Sequence, residues 1–355
     1  MGGNSFGTAF RISTFGESHG KGVGVIVDGV PPGIPLSEED IQPEMDRRKP
    51  GQSDITTPRK ESDEVIIQSG TFEGKTTGTP LAMILYNTNT ISSDYNDVMD
   101  KYRPGHADYT YHQKYGIRDW RGSGRASGRE TAGRVAAGAV AKKILGLHGI
   151  KITAYTIAAA GIRCEKYVPE QIEQNPVRAC DPDAAQKMVE VIESLIDKGN
   201  SAGGVIECRI KGVQPGLGEP VFDKLEADLA KGIMSIGAVK GFEIGEGFRA
   251  ADMFGTEHND DMSADGFLTN HAGGITGGIS TGQEIIFRAA VKPTASISSP
   301  QNTVNLKGEE VEIITEGRHD PIICPRIIPV MEAMAAIVVC DHLLRLGAQR
   351  SLQMS

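Results

Sequence analysis

Residues 129–147 carry the strongest constraint on how this chain can fold. The pattern predicts a helix there, and Ala132, Gly133, Ala136, Ala137, Gly138, Ala139 and Ala141 leave it almost without side-chain bulk. Neighbouring elements can approach such a helix closely on several sides, so it belongs at the centre of a packed structure. A chain of 355 residues, 39% apolar and 23% charged, has enough apolar material to surround it.

Short apolar runs bounded by turn residues predict strands at 23–27, 65–67, 81–86, 151–158, 204–210, 284–291 and 309–315. Ser37 with Asp40 reads as a capping box opening a helix to about Arg48, whose final Arg47, Arg48 and Lys49 suit the helix dipole. Asp181-Pro182 starts another, with Met188, Val191, Ile192, Leu195 and Ile196 on one face. Further helices are expected at 222–235 and 326–346, the last ending near Gly347, and the segment 102–128 reads as loop. Strands and helices mix without the strict alternation of a doubly wound sheet. The expected class is therefore α/β (α+β), a single domain over 1–355 with substantial antiparallel sheet.

The net charge of −9 argues against a general nucleic-acid or anionic-membrane binder. The longest apolar run, 327–339, is interrupted by Glu332 and reads as too short to span a bilayer. Cys164, Cys180, Cys208, Cys324 and Cys340 are odd in number and form no CxxC pair, which implies reduced thiols, no metal site and a cytoplasmic chain. The first residues lack the basic start and apolar run that export requires.

Against this acidic background, 101–134 carries eight Lys and Arg residues against three carboxylates. A local cationic excess in an acidic protein points to a small anionic ligand. Arg125 and Arg129 lie at the start of the predicted helix, where cations oppose its dipole and a bound phosphate or carboxylate would compensate. Arg134 lies four residues after Glu130 and reads as its surface partner. His106 follows the turn signal Pro104-Gly105 beside Arg103, a placement that suits a proton donor, whereas His112 reads as an ordinary exposed histidine.

Other motifs admit two readings. GESHGKGVG (16–24) is either a glycine turn before a strand or a flexible frame presenting His19 as a general acid. It precedes a strand, so it is not the dinucleotide fingerprint. NHAGGITGGIS (270–280) is either a hinge or a loop that sets backbone N–H groups against a phosphate or a ring. GRHDP (317–321) offers Arg318, His319 and Asp320, with Asp320 either an N-cap or a proton handler.

Taken jointly, GESHG, RPGHADYTY, GRASGRETAGR, NHAGGI, KPT and GRHDP resemble the chorismate synthase family from about Ser5 to Gly347. The resemblance implies a helical core between antiparallel sheets, assembled as a homotetramer. It implies the conversion of 5-enolpyruvylshikimate 3-phosphate to chorismate with reduced FMN, some members reducing the flavin with NADPH. On this resemblance His19 protonates the leaving phosphate, His106 is a second acid acting on the reduced flavin, and Asp320 assists proton removal through flavin N5. Arg48, Arg103, Arg129 and Arg318 would bind substrate anions. FMN contacts would fall at Arg125, Ala126 and Ser127, at Gly237 and Ala238, at Gly277, at Lys292, Pro293, Thr294, Ala295 and Ser296, and at Arg318. Asp54 departs from relatives that are basic there. An FMN oxidoreductase consuming NAD(P)H is the main alternative, weakened by the missing nicotinamide fingerprint. An RNA-binding module is opposed by the charge of −9 and 5% aromatics.

Overall fold

The small-residue helix forms at Thr131–Gly146, and close approach on two of its sides explains its composition. A Cβ added to Gly138 would lie 2.3 Å from the Cβ of Ala333, on helix Cys324–Ser351. One added to Gly133 would lie 2.9 Å from the carbonyl oxygen of Gly24, on strand Gly22–Asp28. The helix is thus pressed between a second helix and a sheet. The computed structural model describes residues 3–53, 55–56, 61–90, 92–315 and 319–351.

Two five-stranded antiparallel sheets enclose the helical layer. The first runs Ser5–Phe6, Arg11–Gly16, Gly22–Asp28, Leu81–Tyr86, Ile66–Ser69 in spatial order. Its register sets Val23, Val25 and Val27 opposite Leu85, Met83 and Leu81, all buried, as the two-residue period of a half-buried strand requires. The second runs Val239–Ile244, Ile285–Val291, Gly204–Lys211, Lys151–Ala159, Ile162–Arg163. There Ile206, Cys208 and Ile210 face Ala289, Phe287 and Ile285. One continuous hydrophobic cluster joins both sheets to the central helices.

The start signals act as expected. Asp40 accepts the Ser37 N–H at 2.9 Å ahead of helix Glu38–Arg48. Asp181 accepts the N–H groups of Asp183 and Ala184, opening helix Pro182–Asp197. The segment read as loop contains helix Asp108–Tyr115, whose weak amphipathicity hid it. Strands Arg11–Gly16 and Val239–Ile244 also escaped the sequence reading, because RISTFG and VKGFEI lack a continuous apolar run.

The last helix begins at Cys324 and continues past Gly347 to Ser351, so Asp320 is not its N-cap. By length and composition it could cross a membrane, contrary to the sequence expectation. Here nearly all of Cys324–Leu343 is buried within the protein, and a Cβ on Gly204 of the second sheet would lie 2.8 Å from the Cys324 Sγ. Asp341 on this helix accepts the N–H groups of Thr8, Ala9 and Phe10 at 2.8, 2.6 and 2.8 Å, fastening the N-terminal segment to it.

Candidate active site

A cavity of ≈ 960 Å³ opens where the first sheet, the turns before Thr131–Gly146 and the start of the long helix meet. That is the upper end of the range for small-molecule sites, ~300–1,000 Å³. Its wall includes Arg48, Arg103, His106, Arg129 and Asp320, which the sequence scatters over more than 270 residues. Arg125, Ala126 and Ser127 line it from one element, Gly237 and Ala238 from a second, and Lys292 through Ser296 from a third.

The arginines are held by carboxylates behind them. Asp63 is fully buried, pairs with Arg48 Nε at 3.2 Å and accepts a short hydrogen bond from Arg129 Nη1. It adopts a left-handed φ of 49°, a conformation that a non-glycine residue keeps only where its surroundings compel it. Arg129 Nε also donates to Asn87 Oδ1 at 2.9 Å. Asp108 takes Arg103 in a fork, from Nε at 2.7 Å and Nη2 at 2.9 Å. Burial pushes the Asp108 carboxyl up, but hydrogen bonds from Arg103 and His106 hold it well below the usual carboxylate range. Burial lowers the His106 imidazole below its ordinary 6.5, with Arg103 and Lys292 adding to the effect and Asp108 opposing it.

Ser127 caps the turn into the central helix by accepting the Arg129 N–H. Gly122, Ser123 and Gly124 follow one another at φ 57°, 69° and 51°, a left-handed run that swings the chain around the cavity. Arg125 points its Nη2 to Thr14 Oγ1 at 2.7 Å, so it also ties this turn to the first sheet. Lys292 donates to the Gly105 carbonyl at 2.6 Å and steadies the loop that carries His106. Asp320 accepts from Arg326 Nη1 at 2.5 Å.

Several expected residues stand elsewhere. His19 is not among the described residues that line the cavity. It packs behind Gly122, where a Cβ would lie 2.2 Å from its ring, and meets Tyr95 edge to face at 5.1 Å. Gly277 does not line the cavity either. With Gly278 it makes the tight turn between strands Ile275–Thr276 and Ile279–Ser280, at φ 64° and 89°. Arg318 and Asp54 lie outside the described residues. His112 is half-buried rather than exposed, bonded to the Tyr102 hydroxyl at 2.6 Å. Arg134 donates to Glu130 at 2.8 Å as its spacing implies. Asp63, Asn87 and Asp108 were not singled out from sequence. Only Asp108 had a signal, a carboxylate five residues after Arg103.

Two antiparallel sheets around a helical layer, with a cavity walled by arginines, a histidine and a carboxylate, define an enzyme for a small, multiply anionic molecule. A family model described as chorismate synthase matches residues 10–344. The chorismate synthase of Lachnospira eligens is 56% identical over 347 residues, covering 96% of this chain and 95% of its own. That of Methanosarcina mazei is 56% identical over 356 residues, covering 98% of each. A crystal structure of chorismate synthase superposes with a TM-score of 0.76 at 33% identity, over 96% of this chain and 93% of that one. The chain belongs to the chorismate synthase family, enzymes that are carbon–oxygen lyases.

Proposed function

We propose that this chain, acting as a single domain, converts 5-enolpyruvylshikimate 3-phosphate to chorismate and phosphate, with reduced FMN held in the same cavity. The observation that supports this reading most is the convergence of Arg48, Arg103, Arg129, His106 and Asp320 on one ≈ 960 Å³ space. The substrate carries one phosphate and two carboxylates, and a guanidinium binds such groups through paired N–H donors.

In the reaction phosphate leaves C3 and a proton leaves C6 on the opposite face. Arg48, Arg103 and Arg129 bind and orient the three anionic groups. His19, assigned by its motif to protonate the departing phosphate, would reach it past Gly122, which has no side chain to stand in the way. His106 holds a proton at the cavity wall, and Asp320 receives the proton lost from C6. Arg318 completes the anion site on the strength of its motif.

The residues present suit FMN. Thr294 Oγ1 and Arg326 Nε line the cavity, are buried and lack a hydrogen-bond partner among the described residues, and both can donate to a phosphate or ring oxygen. Arg125, Ala126, Ser127, Gly237, Ala238 and the Lys292–Ser296 segment would hold the group. When bound, reduced FMN lends electron density for C–O cleavage and recovers it, so nothing is oxidised overall.

The exposed Phe248, Phe254, Met262 and Leu268 supply apolar surface that a homotetramer would cover. The five free thiols suit a cytoplasmic setting.

Anaerobic assay with pre-reduced FMN is expected to release one phosphate per chorismate formed without net flavin oxidation. Flavin oxidised in step with product would instead establish an oxidoreductase. Replacing the chemical reductant by NADPH reads whether this chain reduces its own flavin.

A further inference from the structure

We propose that Asp108 is the positioning residue of this site: its one carboxylate determines which atom of Arg103 and which atom of His106 face the ligand. The inference rests on the reading of His106 as a proton donor.

The side chain of Asp108 is 4% exposed, at the first turn of helix Asp108–Tyr115. Its Oδ2 accepts from the Arg103 backbone N–H at 3.1 Å and from Arg103 Nε at 2.7 Å. Its Oδ1 accepts from Arg103 Nη2 at 2.9 Å and lies 3.0 Å from Arg118 Nη1 and 3.1 Å from His106 Nδ1. Backbone, guanidinium and imidazole of the Arg103–His106 loop are therefore all referred to one group.

Hydrogen counting favours one tautomer. Arg103 Nη2 also lies 3.2 Å from His106 Nδ1, so Nδ1 could in principle accept from it. Nη2 has two hydrogens, and both are used: one goes to Asp108 Oδ1 and the other to Ser123 Oγ at 2.8 Å. An Nδ1–H donated to Asp108 Oδ1 at 3.1 Å is the arrangement in which each of these groups has its own partner. His106 Nε2 has no protein partner among the described residues, and the ring lines the cavity, so Nε2 is the atom that takes up and releases a proton. The same logic holds for Arg103. Asp108 engages Nε and Nη2, which leaves Nη1 with no described protein partner for the ligand.

The charges facing His106 are Arg103, Asp108 and Lys292, with Arg118 on the far side of Asp108. Burial and the cations disfavour an imidazolium there, and Asp108 is the carboxylate that favours it. Removing that negative charge should therefore suppress proton donation while making the pocket more attractive to an anion. A purely structural residue would not divide the two effects in this way.

The test compares Asp108→Asn, which keeps shape and removes charge, with the unaltered FMN-loaded enzyme. Expected are a kcat at least about tenfold lower, as for an impaired general acid, and a KM for the enolpyruvyl substrate that does not rise. The His106 titration, followed by NMR of selectively 15N-labelled histidine, should move down by about 1–2 pH units with loss of the neighbouring carboxylate. An unshifted titration, or a raised KM at unchanged kcat, overturns the proposal. Should Asp108→Asn not fold, Asp108→Glu keeps the charge and is expected to preserve the His106 titration; a shift as large as 1–2 units there also overturns it. His106→Ala separates the two readings. If it turns over at the unaltered rate, the role of His106 itself fails. If it is impaired while Asp108→Asn titrates and turns over normally, only the positioning role fails.

Discussion

Two ionic clusters meet at the end of helix Glu38–Arg48, one through Arg47 and the other through Arg48, and only one of them makes a site. Around Glu332, on the long helix, Arg47 and Lys142 each donate at 2.6 Å, the Ala154 N–H adds a third bond, and Glu44 and Glu173 take the remaining reach of the two cations. Arg178 joins through Glu173 at 3.1 Å, so three cations face three carboxylates and the charges balance. Burial pushes the Glu332 carboxyl up, but Lys142 and Arg47 outweigh it and hold it at about 2. Around the cavity the cations outnumber the carboxylates that hold them: Asp63 serves Arg48 and Arg129, and Asp108 serves Arg103 and Arg118. Each carboxylate anchors two guanidinium groups and neutralises one, so positive charge is left over for an incoming anion. The surplus, not the burial of charge, distinguishes a binding site from a structural knot.

That contrast is open to direct challenge. The largest effect is expected from Arg129→Lys, which keeps the charge and loses the planar fork: kcat/KM should fall by about 10²-fold or more, with a smaller change in unfolding free energy than Glu332→Gln produces. Steady-state kinetics beside urea unfolding measures both. Glu332→Gln should do the reverse, costing about 3 kcal/mol of stability because Lys142 and Arg47 lose their shared anion, while activity per folded molecule stays within about twofold. An inactive but fully stable Glu332→Gln enzyme would erase the distinction between the clusters.

Gly138→Ala sharpens it by leaving both clusters intact. Its new Cβ would meet the Ala333 Cα at 2.5 Å, and overpacking of this kind costs about 1–3 kcal/mol. A neutral outcome in urea melts would mean that the two central helices part easily. The smallest effect concerns pH. His106 titrates below 6.5 when folded, so its contribution to stability is complete above 6.5 and is lost as the pH falls through the lowered value. Glu332 contributes fully above 4.5 and loses its contribution on the way down to about 2. Urea midpoints should therefore fall in two steps on acidification, and His106→Ala should remove only the upper one.

Much of the frame was legible. Small residues at 131–146 announced a central helix, alternating valines announced strand 22–28, and Asp181-Pro182 announced a helix start, because each depends on a local period or a local cap. Helix 108–115 and strand 11–16 were not legible, since neither has an apolar stripe and tertiary neighbours hold both in place. The cationic stretch before the central helix was visible as a charge count, and His106 as a loop histidine beside an arginine. The glycines of 270–280 were legible as a turn motif and no further, because a hairpin turn and a phosphate loop require the same residue.

By itself the sequence determined the central helix, most of the strands and the presence of an anion-seeking segment in an acidic chain. These follow from interactions over a few residues, which a linear pattern records. Only the tertiary structure decided that Asp63 stands between Arg48 and Arg129, that the Arg103–Asp108 segment and Asp320 face one space, and that His19 lies behind Gly122. Those relations join groups on separate elements through hydrogen bonds whose direction and spare valences exist only once the chain is packed.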